Sequence, residues 1–168
     1  MSQKTLLIGA LAAIIGLGLV MMMLPEGGSE PELEEAAGPN TASGLRPDDR
    51  ALVARGLQVY TQYCATCHGA GLEGQPNWKQ RGPGGRLPAP PHDASGHTWH
   101  HPDAQLIALT KFGLAAMVPN YQTDMPVYDG VLSDEEIIAV LSYIKSTWPA
   151  DIRARHDQIN ANFKASQE

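Results

Sequence analysis

The chain has 168 residues, 43% of them hydrophobic, with a formal net charge of −6 and only two cysteines. That length supports one modest domain with appendages. A disulfide framework is excluded if the cysteines serve another purpose, and no basic run with interleaved aromatics suits nucleic acid.

Residues 6–24 form an uncharged apolar run, which as a helix spans about 28 Å, close to the thickness of a bilayer core. A cleaved signal has a shorter apolar core and a small-residue cleavage site. Here the run ends in Met21-Met22-Met23-Leu24-Pro25-Glu26, so an uncleaved anchor over residues 1–24 is favoured over a removed signal. Lys4 precedes the run and glutamates follow it, which places the N-terminus in the cytoplasm and the bulk outside. The small pair Ala12 and Gly16 reads as ordinary membrane-helix composition. Residues 25–45 carry Glu26, Glu30, Glu32, Glu34 and Glu35 without a base and almost no apolar content. They read as a solvated tether, averaging roughly 25 Å end to end. Acids and bases nearly balance from Arg46 onward, so the acidity belongs to the tether.

A helix is predicted from Asp48 or Asp49 to about Tyr63, capped by the aspartates, with Leu52, Val53, Leu57, Tyr60 and Tyr63 on its apolar face. Gly56 interrupts it at a cost of about 1 kcal/mol relative to alanine, which marks a close helix crossing. The helix ends on Cys64-Ala65-Thr66-Cys67-His68. Two thiols at this spacing suit thioether bonds to the vinyl groups of one haem, and the adjacent imidazole suits the iron. A thioredoxin-like reading lacks its βαβ setting, and a zinc site lacks a second cysteine pair.

Long proline-rich loops follow at 69–101 and 114–132, unusual unless something such as a buried haem holds them. Within the first, Lys79, Arg81 and Arg86 flank Trp78, equally a docking surface or a solvated basic loop. His92, His97, His100 and His101 invite a second metal site, but no helical i, i+4 pair with supporting carboxylates is evident. Trp99 is expected against the haem edge. A second helix is predicted over 102–111, with Leu106, Ile107 and Leu109 apolar and Gly113 as its terminator. A third starts at Ser133 with a capping box, carries Ile137, Ile138, Val140, Leu141, Ile144 and Trp148, and stops at Pro149. It is the expected partner of Gly56. The tail 149–168 places Ile152, Ile159 and Phe163 near one helical face. No strand pattern appears.

Gly56 and Tyr60, the Cys-Ala-Thr-Cys-His-Gly run at 64–69, Met125-Pro126, and the helix at 140–145 together resemble a class I (mono-haem, His/Met) cytochrome c domain of the bacterial membrane-anchored type. The stretches at 87–93 and 95–102 resemble bacterial mono-haem cytochromes less specifically. The resemblance covers residues 46–148. It implies an all-α fold of about three to four helices around one covalent haem c, with the first and last helices crossing at Gly56 and Tyr143. It also implies Met125 as the second axial ligand, since a proline follows it; Met117 reads instead as a core side chain at a helix end. A proline carbonyl after the motif holds the proximal imidazole in that family. Pro76, Pro83, Pro88, Pro90 and Pro91 are all available, and Pro90 is preferred.

The cofactor-binding set is therefore Cys64, Cys67, His68, Met125, Trp99 and Pro90, with His68 and Met125 on the iron and no catalytic residue. The expected function is a membrane-tethered one-electron carrier on the periplasmic side of a bacterial inner membrane. Its partners would be redox proteins, with no nucleic acid and no small-molecule substrate. Other readings are a fixed cytochrome subunit of a larger oxidase or dehydrogenase, an open-site haem sensor or enzyme, and a periplasmic metal-handling protein.

Overall fold

A computed structural model describes residues 44–168. The expected membrane span at 6–24 and the tether up to residue 43 lie outside the described residues. Among the described residues no helix is long and apolar enough to cross a membrane.

The chain runs through α1 (Arg50–Tyr63), α2 (Ala65–His68), a 3-10 turn (Thr98–His100), α3 (Asp103–Phe112), α4 (Leu114–Met117), α5 (Asp134–Ser146) and α6 (Ala150–Ala165), with no strand among the described residues. The first helix starts where its aspartates predict: the Asp49 carboxylate accepts from the Leu52 N–H at 3.0 Å. The fifth has the complete Ser133–Glu136 capping box. Gly113, at φ 81°, ends α3 one residue beyond the predicted boundary.

The crossing of α1 and α5 organises the core. A Cβ on Gly56 would lie 2.0 Å from the Ala139 carbonyl oxygen and 2.8 Å from Tyr143 Cβ, so only glycine permits this approach. One turn along, the Tyr60 and Tyr143 rings meet at 5.5 Å between centroids. Around them Val59, Ile137, Val140, Leu141, Ile144 and Trp148 are buried. The apolar stripe of α1 is therefore Leu52, Gly56, Val59, Tyr60. Leu57, read from periodicity into that stripe, is 46% exposed, because the glycine itself occupies the contact line. Met117, expected in the core at a helix end, does end α4 but is 37% exposed. Its helix is a single turn on the surface, too short to present a buried face.

Two segments outside the expected 46–148 limits pack on the domain. Leu45, assigned to the tether by its neighbours' composition, is a core residue. At the other end, α6 extends the predicted tail helix to 16 residues and buries His156 completely. One carboxylate joins both: Asp103 Oδ2 accepts from the Leu45 N–H at 2.8 Å, and Oδ1 accepts from Asn160 Nδ2 at 3.0 Å. His156 Nε2 donates to the His101 carbonyl at 3.0 Å, and its ring meets Trp148 edge-on at 5.0 Å.

The His156 Nδ1 atom is buried without a partner. A proton there would be an unmatched buried donor, and burial, followed by the Lys145 charge, holds His156 below the usual histidine range despite Asp103 nearby. The neutral ring is thus the folded form. Above about pH 6.5 the ring is neutral in both states and costs nothing. Below that, unfolded chains bind a proton that folded ones refuse, so stability falls by up to about 1.4 kcal/mol per pH unit until the folded value is reached. Urea titrations at pH 7.5 and 5.5 should show this loss, and His156→Gln, which keeps the donor to His101, should shallow the slope by about one proton. An unchanged slope would remove His156 from the account.

Candidate haem site

The Cys-x-x-Cys-His run becomes a one-turn helix because α1 stops on it. Cys64 closes α1, its N–H donating to the Tyr60 carbonyl at 2.9 Å, and at once opens α2, its carbonyl accepting from the His68 N–H at 2.9 Å. Two tyrosines clamp this turn. Tyr60 Oη donates to the Gly69 carbonyl at 2.7 Å, and Tyr128 Oη donates to the Tyr63 carbonyl at 2.9 Å. Burial, then the Cys64 thiol, pushes the Tyr128 hydroxyl up to about 12, and burial raises Tyr60 as well. Both therefore remain protonated donors at any ordinary pH.

Of the two cysteines, Cys67 is exposed and Cys64 half-buried. Burial and then the neighbouring Cys67 push the Cys64 thiol up to about 11. The uncharged form is therefore the one that suits the apolar cavity Cys64 lines.

His68 is buried with its Nδ1 2.8 Å from the Pro90 carbonyl oxygen, to which it donates. Burial lowers its proton affinity and the carbonyl partly restores it. The neutral ring with Nδ1–H so engaged leaves the Nε2 lone pair for a metal. Of the five candidate prolines, Pro90 holds the ring; the Gly74 N–H, donating to the His68 carbonyl at 2.7 Å, ties the loop back beneath the motif.

Cys64, Cys67, His68 and Met125 line one cavity of about 320 Å³, walled by apolar side chains of α3 and α5 such as Leu106, Leu109, Val140 and Ile144. The Met125 loop is braced at its backbone, Thr123 Oγ1 accepting from the Met125 N–H at 3.0 Å. Arg86 pairs with Asp124 at 2.5 Å, spanning from the first long loop to the second.

Trp99 lies elsewhere. Its indole N–H donates to the Ala94 carbonyl at 3.2 Å and its ring stacks on His100 at 3.7 Å; it packs against the core but is not among the residues that line the cavity. The 3-10 turn directs it into local packing, and the tryptophan lining the cavity is Trp78. Lys79 sits over the Trp78 ring at 4.9 Å and Arg81 over Tyr121 at 5.6 Å, so the basic group covers its own loops.

The histidine group divides. His97 lies 5.1 Å from His100 and 4.8 Å from His101, ring to ring, while His92 stacks on His68 at 4.0 Å and lines the cavity. Among the described residues no group of three or more His, Cys, Asp or Glu side chains is arranged to hold a metal ion. Burial, then the adjacent His68, holds His92 well below the usual histidine range. Its position two residues after Pro90 was the available signal, obscured by the three histidines that follow.

A helical domain in which a Cys-x-x-Cys-His turn, a carbonyl-braced imidazole and a methionine face one apolar cavity has the residues that a covalent haem requires. The chain belongs to the cytochrome c family, whose model matches residues 53–148. No curated protein and no solved structure matches it. Membership brings haem c, attached through two cysteines, and haem-based electron transfer. The residues present fit that group: Cys64 and Cys67 would supply the thioethers, His68 an unprotonated nitrogen, and the walls a largely apolar lining.

Proposed function

We propose that this protein is a class I cytochrome c with His68 and Met125 as axial ligands, working as a one-electron carrier tethered to the outer face of a bacterial inner membrane. The observation that carries this reading is the shared cavity of His68 and Met125, with Pro126 stiffening the methionine loop. When bound, haem c supplies the one-electron couple of its iron. The Pro90 carbonyl keeps His68 neutral and oriented. Met125 offers a soft, uncharged thioether, which favours the reduced metal and raises the potential. With both axial positions filled, no small molecule is turned over at the metal, and the partners are redox proteins.

A spectroelectrochemical titration of the loaded protein tests the ligation. A positive midpoint potential with a methionine signature supports it; a low potential points to two nitrogen ligands. The tether is tested by fractionation. Replacing residues 1–24 with a cleavable export signal should move the haem protein from the membrane to the soluble periplasmic fraction. A parent protein already soluble there would defeat the anchor.

A second reading, a fixed subunit of a larger oxidase or dehydrogenase, is favoured by exposed apolar side chains near the methionine loop, Phe112 at 50%, Val118 at 48% and Val127 at 52%. Mild detergent extraction and sizing separates the two: a free carrier runs without stoichiometric companions.

A further inference from the structure

We infer that His92 is a positioning residue that sets the plane of the His68 imidazole. The inference rests on the reading of His68 as an axial ligand. The Pro90 carbonyl holds one ring atom, and a single hydrogen bond still permits the ring to turn about that contact. The second restraint comes from the face. The His92 ring lies against the His68 ring with centroids 4.0 Å apart and planes 25° from parallel, so rotation of one ring drives it into the other.

A restraint must itself be rigid, and His92 is held from four directions. Its N–H donates to the Leu72 carbonyl at 2.8 Å, and its carbonyl accepts from Trp148 Nε1 at 2.7 Å. Its Nδ1 and the Thr98 hydroxyl share a hydrogen bond of 2.6 Å, and the Tyr60 ring meets it edge-on at 6.3 Å. Those partners sit on α1, the turn after α5, the 3-10 turn and the loop after the motif. The fold thus grips the proximal ligand through one turn, with Pro90 at its edge and His92 at its face. The plane of an axial imidazole decides which iron orbitals overlap its π system, so whatever fixes the plane acts on the electronic structure of the metal.

The test uses the full-length, haem-loaded protein and reads the g values of its ferric state by electron paramagnetic resonance, beside thermal unfolding. His92→Leu should shift and broaden the largest g value, while His92→Phe, which keeps a flat ring for the stack but loses the Thr98 bond, should hold its position and only broaden it. Thr98→Val frees the His92 ring without changing the cavity wall, and should broaden the same feature even if His92→Leu fails to load haem. Unchanged g values in His92→Leu, or the absence of broadening in Thr98→Val, overturn the inference. So do equal shifts in the leucine and phenylalanine variants, since they would mean that volume alone matters. A parent without a low-spin ferric signal would overturn the ligation reading and this inference together; a low-spin parent with insensitive variants overturns the inference alone.

Discussion

Met125→Ala will bind carbon monoxide avidly in the ferrous state, and its midpoint potential will fall. Under the proposed His68/Met125 ligation, a thioether on the sixth position must leave before another ligand enters. If that bond is worth about 3 kcal/mol, the open form is roughly one molecule in 150, and apparent affinity for an external ligand drops by that factor. Removing the thioether lifts this penalty, so binding should tighten about 100-fold or more. Axial ligands set haem potentials over about 0.8 V, and exchanging methionine for water or nothing should lower the midpoint on the order of 0.1 V. The fold should survive, because Met125 is only partly buried and its loop is braced by Thr123 and by the Arg86–Asp124 pair. Titration with carbon monoxide and redox potentiometry check both effects. A parent that binds carbon monoxide as readily as the variant would make the protein an open-site haem protein, and the carrier reading would fall.

Gly56→Ala should destabilise the loaded protein by about 3 kcal/mol, with a fall in Tm of about 10 °C. Two effects oppose each other here. Alanine is the better helix former by about 1 kcal/mol, so in an isolated helix the change would stabilise. At the α1–α5 crossing the added methyl would lie 2.0 Å from the Ala139 carbonyl oxygen and 2.8 Å from Tyr143 Cβ. The nearest obstacle is backbone, and no rotamer relieves it; the helices must separate. Separation also loosens the Tyr60–Tyr143 contact and, through Tyr60, the hydroxyl clamp on Gly69 beside the proximal histidine. Overpacking of this kind costs about 1–3 kcal/mol and more where nothing yields, which outweighs the propensity gain. Denaturant unfolding of the loaded protein gives the sign directly. An equal or greater stability for the alanine variant would mean that the helices do not approach at this glycine.

What could be read from residues alone had local causes. The N-cap at Asp49, the capping box at Ser133 and the stop at Gly113 are written in side chains within a few positions of the feature they create. The Cys-x-x-Cys-His run needs only itself to specify attachment chemistry. Gly56 marked a crossing because a glycine kept inside a helix has a cost that packing must offset.

The remainder depended on which distant segments meet. Leu45 resembles its tether neighbours in composition, and only the Asp103 carboxylate, 58 positions on, shows why it folds inward. Trp99 carries the size and polarity suited to a haem edge, yet the 3-10 turn sends it to Ala94 and His100, and Trp78 from the preceding loop lines the cavity. The four histidines are near-equivalent in sequence; a loop path no periodicity encodes delivers one to the face of His68 and leaves three outside. By itself, then, the sequence determined the helices that frame the site and the covalent chemistry of Cys64, Cys67 and His68, because both follow from neighbouring residues. Only the tertiary structure decided which proline, which tryptophan and which histidine attend that imidazole, because loops obey the contacts they close rather than the order of their residues.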